Sequence, residues 1–224
     1  MRRLRPDLPG AAAHAHEQSY NRVAGGALER LAALSDGVFV FAMTLLVLDI
    51  HVPPLQTVHS EAELRRALLA LLARFLMYAM SFLTLGIFWV GQQTQLNQLE
   101  RADRDLAWLH IGFLAAVALM PFSTTLLAEF IRYRTALLAY WCNVLVLGIL
   151  LYCAWRYSVR AHLTRVDTAA ATILAIERRI GNAQSLYALG AGLCVINTYC
   201  SIAFMFLVQL NYALAPGLRR SARG

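Results

Sequence analysis

Six long runs of apolar residues constrain this chain more than any other feature of it. Crossing a hydrocarbon layer of about 30 Å takes roughly 20 apolar helical residues. The runs cover about 34–52, 67–92, 106–128, 136–157, 184–199 and 200–215. In lipid each backbone amide must be satisfied within its own segment, so runs of this kind read as transmembrane helices. Pro53-Pro54 stops the first run, and Pro121 lies inside the third. The last two are nearly fused; as one tilted helix they would leave five crossings. Charged residues make up only 15% of the chain, against roughly 25% in soluble domains, and mean hydropathy is +0.53. Together these remove the soluble reading.

All 20 basic residues are arginine, and the formal net charge is +7. A basic balance can serve nucleic-acid binding. Here the arginines flank apolar runs, which fits topology and anchoring instead, and no nucleic-acid partner is expected. With the N-terminus inside, Arg65, Arg66, Arg132 and Arg134 fall outside, Arg74 falls within a run, and the other 15 fall on the cytoplasmic side. That bias puts both termini inside and requires an even number of crossings, so six stands over five. The chain therefore reads as an all-α, multi-pass integral membrane protein. Residues 1–26 read as a mobile cytoplasmic tail, 27–217 as a six-helix membrane domain, and 218–224 as a basic C-terminal tail. Residues 158–183 form a cytoplasmic connector. Within it Ile173, Ile176 and Ile180 share one helical face, as an amphipathic helix or a plain linker would allow. No internal repeat supports an inverted-repeat transporter.

Enzymatic signatures are missing: there is no HExxH, GxSxG, P-loop or GxGxxG. No His/Cys cluster has ligand spacing, so neither a catalytic centre nor a metal or cofactor is expected. Cys142, Cys153, Cys194 and Cys200 all lie in apolar runs and read as small buried thiols. Of the histidines, only His110 lies inside a run.

The first run is polar at both ends, with Arg30, Ser35 and Asp36 entering it and Asp49 leaving it. Ionisable groups entering a membrane segment are costly and face protein or water. Arg30 and Asp36 are six residues apart, on different helical faces, so each would pair with a neighbouring helix. Alternatively Arg30 is an ordinary inside anchor and Ser35 or Asp36 an N-cap. Asp49 is either a group tuning the outer mouth or a solvated helix-end charge. Between these ends Leu34, Val38, Phe41, Leu45, Leu48 and Val52 are spaced four, three, four, three, four. That makes one continuous seam. Spacing alone favours packing against another helix. If several copies surrounded an axis, the same seam would line a narrow apolar pore, of the kind that gates by dewetting.

Arg30-x-x-x-Leu34-Ser35-Asp36-Gly37-Val38-Phe39, followed by Thr44-Leu45-Leu46-Val47-Leu48, resembles the first helix of bacterial members of the transmembrane protein 175 family of potassium channels. Phe75-x-x-Tyr78-x-x-Ser81-Phe82 with Phe88-Trp89 is similar to that family's second helix. Trp108, Met120-Pro121-Phe122 and Leu126 to Glu129 are similar to its third, and Ala139-Tyr140-x-x-Asn143 to its fourth. The likeness runs from about 30 to 157 and fades in the last third.

The resemblance implies a homotetramer in membrane lipid, with first helices lining a central pore and no TVGYG filter; no such sequence occurs here. It implies passive passage of monovalent cations, potassium over sodium, with potassium as permeant and no cofactor. Phe41, Leu45 and Leu48 would be the constriction rings, about 5–6 Å apart along the axis, with Thr44 beside them. Arg30, Ser35 and Asp36 would form a structural polar network at the inner pore end. Three departures stand out. Phe41 takes the place of a smaller aliphatic residue, and Leu34 that of a phenylalanine. Gly91-Gln92-Gln93 stands where relatives often carry histidines, and glutamine hydrogen-bonds without titrating. Outside the channel reading stand a small transporter or proton pathway using Asp36, Arg30 and His110, and a non-conducting scaffold.

Overall fold

The computed structural model describes residues 28–54, 56 and 58–221, with side chains described to 213. The expected tail at 1–26 and the last residues of the 218–224 tail lie outside these. The chain is helical almost throughout. The elements are α1 (Leu28–Leu48), α2 (Glu61–Ala70), α3 (Leu72–Leu96), α4 (Arg104–Ala118), α5 (Met120–Glu129), α6 (Arg134–Arg160), α7 (Ala170–Gly192), a 3₁₀ turn (Leu193–Val195) and α8 (Thr198–Ser221). Among the described residues no β-sheet forms, only one isolated bridge between Leu99 and Thr164.

Two pairs of helices run on as single rods. Leu71 keeps right-handed helical dihedrals between α2 and α3. Leu119 does the same between α4 and α5, two residues before Pro121. Proline has no amide hydrogen and clashes with the carbonyl four residues back, so the joint falls there. The described residues thus form six rods: α1, α2–α3, α4–α5, α6, α7 and α8. Among the described residues four stretches are long and apolar enough to cross a membrane: Leu28–Leu48, Glu61–Leu96, Arg104–Glu129 and Arg134–Arg160.

The rods meet on one extended apolar core. Phe39 of α1, Met77, Met80 and Leu85 of α3, Phe113 and Val117 of α4, Leu127 of α5, and Tyr140 and Leu147 of α6 are all buried in it. Phe113 takes Phe39 at 6.0 Å and Phe88 at 6.2 Å between ring centroids, both tilted, as aromatic quadrupoles prefer. A second cluster around Leu31, Leu96, Leu106, Trp155 and Leu163 fills one end.

The connections at that end are stitched together. Asp103 caps α4 by accepting from Leu106 N at 2.9 Å, and it also accepts from the Tyr157 hydroxyl of α6 at 2.7 Å. His162 adopts φ 53° and ends α6 in a left-handed cap, in which Leu163 N reaches back to Ser158 O at 3.0 Å. Leu163 O and Arg165 N then bond Glu100 N and Gln98 O, each at 2.9 Å. At the opposite end Arg134 of α6 donates to Val195 O in the α7–α8 turn at 3.0 Å.

The expected boundaries of the last third differ from these helices. The stretch expected as a connector to 183 and the span expected from 184 form one helix, α7. Its Ile176 joins the second core cluster, with Ile173 and Ile180 packed against it. The break between the last two spans lies at 193–197, ahead of 199, where Asn197 accepts from Tyr199 N at 2.7 Å and opens α8. Of the four cysteines expected to be buried, only Cys194 is; Cys142, Cys153 and Cys200 lie on the outer surface of the bundle, and all four are free.

Candidate pore-lining helix and its polar anchor

The first helix has two faces. Leu31, Ser35, Phe39, Ala42 and Leu46 repeat at three or four residues and are buried against the protomer's own core. The opposite face carries the seam. Leu34, Phe41 and Leu48 are 50%, 65% and 67% exposed; Val38 and Leu45 are half-buried. Packing within the protomer, which spacing alone favours, is therefore not what the seam does. An open groove of about 520 Å³ runs along it, bounded by Leu34, Gly37, Val38, Phe41 and Leu45 of α1 and Ala118 of α4. Thr44 is exposed on this helix, and its hydroxyl donates to Phe41 O at 2.8 Å.

The polar residues at the start of α1 are held by α3. Gln92 is fully buried. Its Nε2 donates to Ser35 Oγ at 2.9 Å and, on this assignment of the amide, to His110 Nδ1 of α4 at 3.0 Å. The His110 proton then sits on Nε2. The Ser35 hydroxyl in turn donates to Leu31 O at 2.9 Å. The next residue, Asp36, is exposed but held: its Oδ1 accepts from Trp89 Nε1 at 2.7 Å and from Gln93 Nε2 at 2.8 Å. Both bonds land on one oxygen. The structure thus brings Ser35 and Asp36 against α3 through two adjacent glutamines. Arg30 is exposed and forms no ion pair among the described residues.

At the other end of α1, Arg74 of α3 is the organising group. It donates to Asp49 O at 3.3 Å and to Glu129 Oε1 of α5 at 2.5 Å, and its guanidinium lies 4.0 Å from the Asp49 carboxylate. A cation at a helix C-terminus meets unsatisfied carbonyls there. Asp49 is therefore tied down rather than simply solvated. His51 Nδ1 lies 2.9 Å from Asp49 O.

Sequence reasoning missed a second polar cluster at the centre of the bundle. Thr124 of α5 donates to Ser81 Oγ at 2.7 Å, and Gln209 Nε2 of α8 donates to Thr84 Oγ1 at 2.7 Å. The Tyr140 hydroxyl of α6 lies 3.1 Å from Thr84 and 3.4 Å from Ser81. All five are buried. In hydrocarbon each such bond between helices is worth about 0.6 kcal/mol, so the cluster fixes which helices meet. A signal existed: Ser81, Thr84, Gln92 and Gln95 all lie on the buried stripe of α3.

Comparison with known proteins adds to this geometry. The profile of the family described as "Endosomal/lysosomal potassium channel TMEM175" matches residues 30–121. A potassium channel of Streptomyces collinus is 35% identical over 190 residues, covering 82% of this chain and 90% of that one. The human endosomal/lysosomal proton channel TMEM175 is 35% identical over 109 residues, covering 46% of this chain and 22% of its own. A crystal structure of a lysosomal potassium-selective channel TMEM175 homolog from Chamaesiphon minutus matches with TM-score 0.72 and 28% identity, over 84% of this chain and 97% of that one.

Proposed function

Because the chain belongs to the TMEM175 family of ion channels, which are not enzymes, we propose that it is a passive channel passing potassium in preference to sodium through a pore lined by α1. Four copies surround the axis in this reading, in a bacterial inner membrane with both termini inside. The observation that carries it is the two-faced first helix. One face is built into the protomer, and the other presents Leu34, Phe41 and Leu48 with nothing of the protomer over them. Lipid would cover any apolar face, so what singles out this one is that it carries the segment matched by the family profile, from residue 30 on, and a ring of like helices covers it in this reading. Phe41, Leu45 and Leu48 then form three apolar constrictions, through which ions pass partly dehydrated. Thr44 contributes little of its hydroxyl, which is turned back onto Phe41 O.

The polar groups act as supports in this reading. Gln92 and Gln93 fix the start of α1 on α3, and Arg74 fixes its end on α3 and α5. The second oxygen of Asp36 stays open toward a neighbouring protomer, as does Arg30. The proton-relay alternative has less support: Arg30 makes no bond to Asp36, and between Ser35 and His110 stands an amide, which does not titrate.

Flux in proteoliposomes tests the reading. A potassium gradient should drive dye-reported charge movement faster than a sodium gradient. Saturable coupled uptake at fixed stoichiometry would sink the channel, and no flux for any monovalent cation would leave a scaffold. Cysteines placed at 41, 45 and 48 in a background without the native thiols should react with pore-entering reagents. Inertness of all three in a conducting protein would show the wrong pore wall.

A further inference from the structure

At the end of the bundle where Arg134 meets the α7–α8 turn, an open cleft lies between that turn and the α5–α6 connection. Its accessible space is about 260 Å³, many times the roughly 10–15 Å³ that one water needs. Arg132 and Arg134 form one wall, and Ile196, Asn197, Thr198 and Tyr199 form the other. None of the lining residues is acidic. The channel reading uses none of them.

Both arginines are exposed. Arg134 gives one guanidinium nitrogen to Val195 O at 3.0 Å, which holds the side chain beside the turn. Neither Arg132 nor Arg134 makes an ion pair among the described residues. The acidic residue nearest to them along the chain, Glu129, is taken by Arg74. The facing wall is the start of α8, where free amides and the helix dipole favour an anion. Thr198 is an independent sign of a ligand. It is only 8% exposed, and its hydroxyl makes no hydrogen bond among the described residues. Gln209 Oε1 and the Tyr187 hydroxyl are sealed in the core without partners, but the Thr198 hydroxyl is not sealed, and Thr198 lines the cleft. A buried hydroxyl without a partner is costly; an acceptor in the cleft would supply one. Donors reach the cleft from two walls, so the anion needs oxygens pointing several ways. A tetrahedral phosphate has them, and guanidinium groups match it well. A planar carboxylate offers only two, in one plane.

We propose that this cleft binds a phosphate group, held by Arg132, Arg134, the Thr198 hydroxyl and the start of α8, and that the bound group clips the α7–α8 turn to the α5–α6 connection. The site is independent of the pore assignment. Tyr133 and Tyr199 stand exposed beside it, as aromatic residues do at a membrane interface, so a lipid head group and a free phosphate both have access. Two measurements on full-length protein in detergent test it: native mass spectrometry with phosphatidylglycerol, and equilibrium dialysis with radiolabelled inorganic phosphate. Arg132→Gln, which removes no bond within the protomer, should weaken binding about fivefold, the worth of one arginine near an anionic head group. Adding Arg134→Gln should weaken it further. Thr198→Val keeps the shape, removes a donor and should weaken binding several-fold. Arg66→Gln, exposed on α2 and outside the cleft, should bind like wild type. Binding of phosphatidylglycerol alone identifies a lipid head group as the ligand; binding of inorganic phosphate, with or without the lipid, identifies a site for any phosphate. The proposal is overturned if neither ligand binds saturably, if Arg132→Gln or Thr198→Val binds like wild type, or if Arg66→Gln loses as much as Arg132→Gln. Acetate displacing the phosphate at equal concentration would overturn it too.

Discussion

Phe39 and Phe41 are two residues apart on one helix and should answer the same substitution in opposite ways. Phe39 is 1% exposed and packs on Phe113 at 6.0 Å in the core. Phe41 is 65% exposed in the protomer. Truncating a buried phenylalanine to alanine costs about 3–5 kcal/mol, from lost contacts plus the cavity left behind. For a chain of this size that corresponds to a fall in melting temperature of roughly 6–20 °C. Phe39→Ala should show a loss of that order when unfolding is followed by tryptophan fluorescence in detergent. Phe41→Ala leaves no cavity inside the protomer. Its melting temperature should move by a few degrees at most, a shift worth about 1 kcal/mol. Its potassium flux in proteoliposomes should rise instead, because four bulky rings leave the constriction. The reasoning fails if the two variants are destabilised alike, since Phe41 would then be a packing residue. It fails equally if Phe41→Ala is stable and its flux, with its selectivity over sodium, is unchanged.

Gln92→Leu leaves the Ser35 hydroxyl without its amide donor and His110 Nδ1 without a partner; thermal unfolding should register a loss of about 1–3 kcal/mol. Gln93→Leu should cost less in the same assay, because Trp89 still holds the Asp36 carboxylate. Glu129→Gln breaks one contact of Arg74 at the C-terminal end of α1 and Arg74→Gln breaks all of them, so flux should change more in Arg74→Gln and no further when Glu129→Gln is added to it. Since these groups are partly exposed, the effect should shrink as ionic strength rises. At Gly148 a Cβ would overlap the Gln184 side chain; Gly148→Ala should therefore lower stability in thermal unfolding, by about 1–3 kcal/mol if the overlap acts as overpacking. The pair Gly148→Ala with Gln184→Ala should recover most of it, and no recovery would mean that the overlap is not the cause.

The helices were legible where one signal had no competitor. Length and apolarity mark α1, α3 and α6, because a lipid-facing helix must be apolar over its whole crossing. The last third was harder. Leu193 to Ile196 are all apolar, so hydropathy runs straight through the turn that separates α7 from α8. The marker was a single side chain, Asn197, whose capping role shows only in its bond to Tyr199 N. The α7 boundary blurred for a different reason. Glu177, Arg178 and Arg179 look like a break in a membrane segment, yet Glu177 is paired with Arg156 and the isoleucine face continues into the core. Charge in one helix was balanced from another, and no single-segment pattern records that.

The same division explains the site. The seam of α1 is visible as spacing, but spacing describes a helix and says nothing about what faces it. A stripe at Leu34, Val38, Phe41, Leu45 and Leu48 is equally good for packing inside one protomer or for lining a space between several. The second stripe, Leu31, Ser35, Phe39, Ala42 and Leu46, is the one given to the chain's own core, which leaves the seam to lipid or to neighbouring copies. That stripe contains a serine, and its cost explains the rest of the anchor. A buried hydroxyl in an apolar span needs a donor or acceptor close by. Ser35 meets that need by donating to Leu31 O in its own helix, and its oxygen also takes Gln92 Nε2, which lies against His110 Nδ1 as well. Replacing histidine by glutamine at this depth keeps the hydrogen bonds and removes the titration. In the proposed channel this anchor holds the first helix in place, and of Ser35, Gln92 and His110 the histidine alone is ionisable. That argues for holding α1 as the job of the polar residues and permeation as the job of the apolar ones.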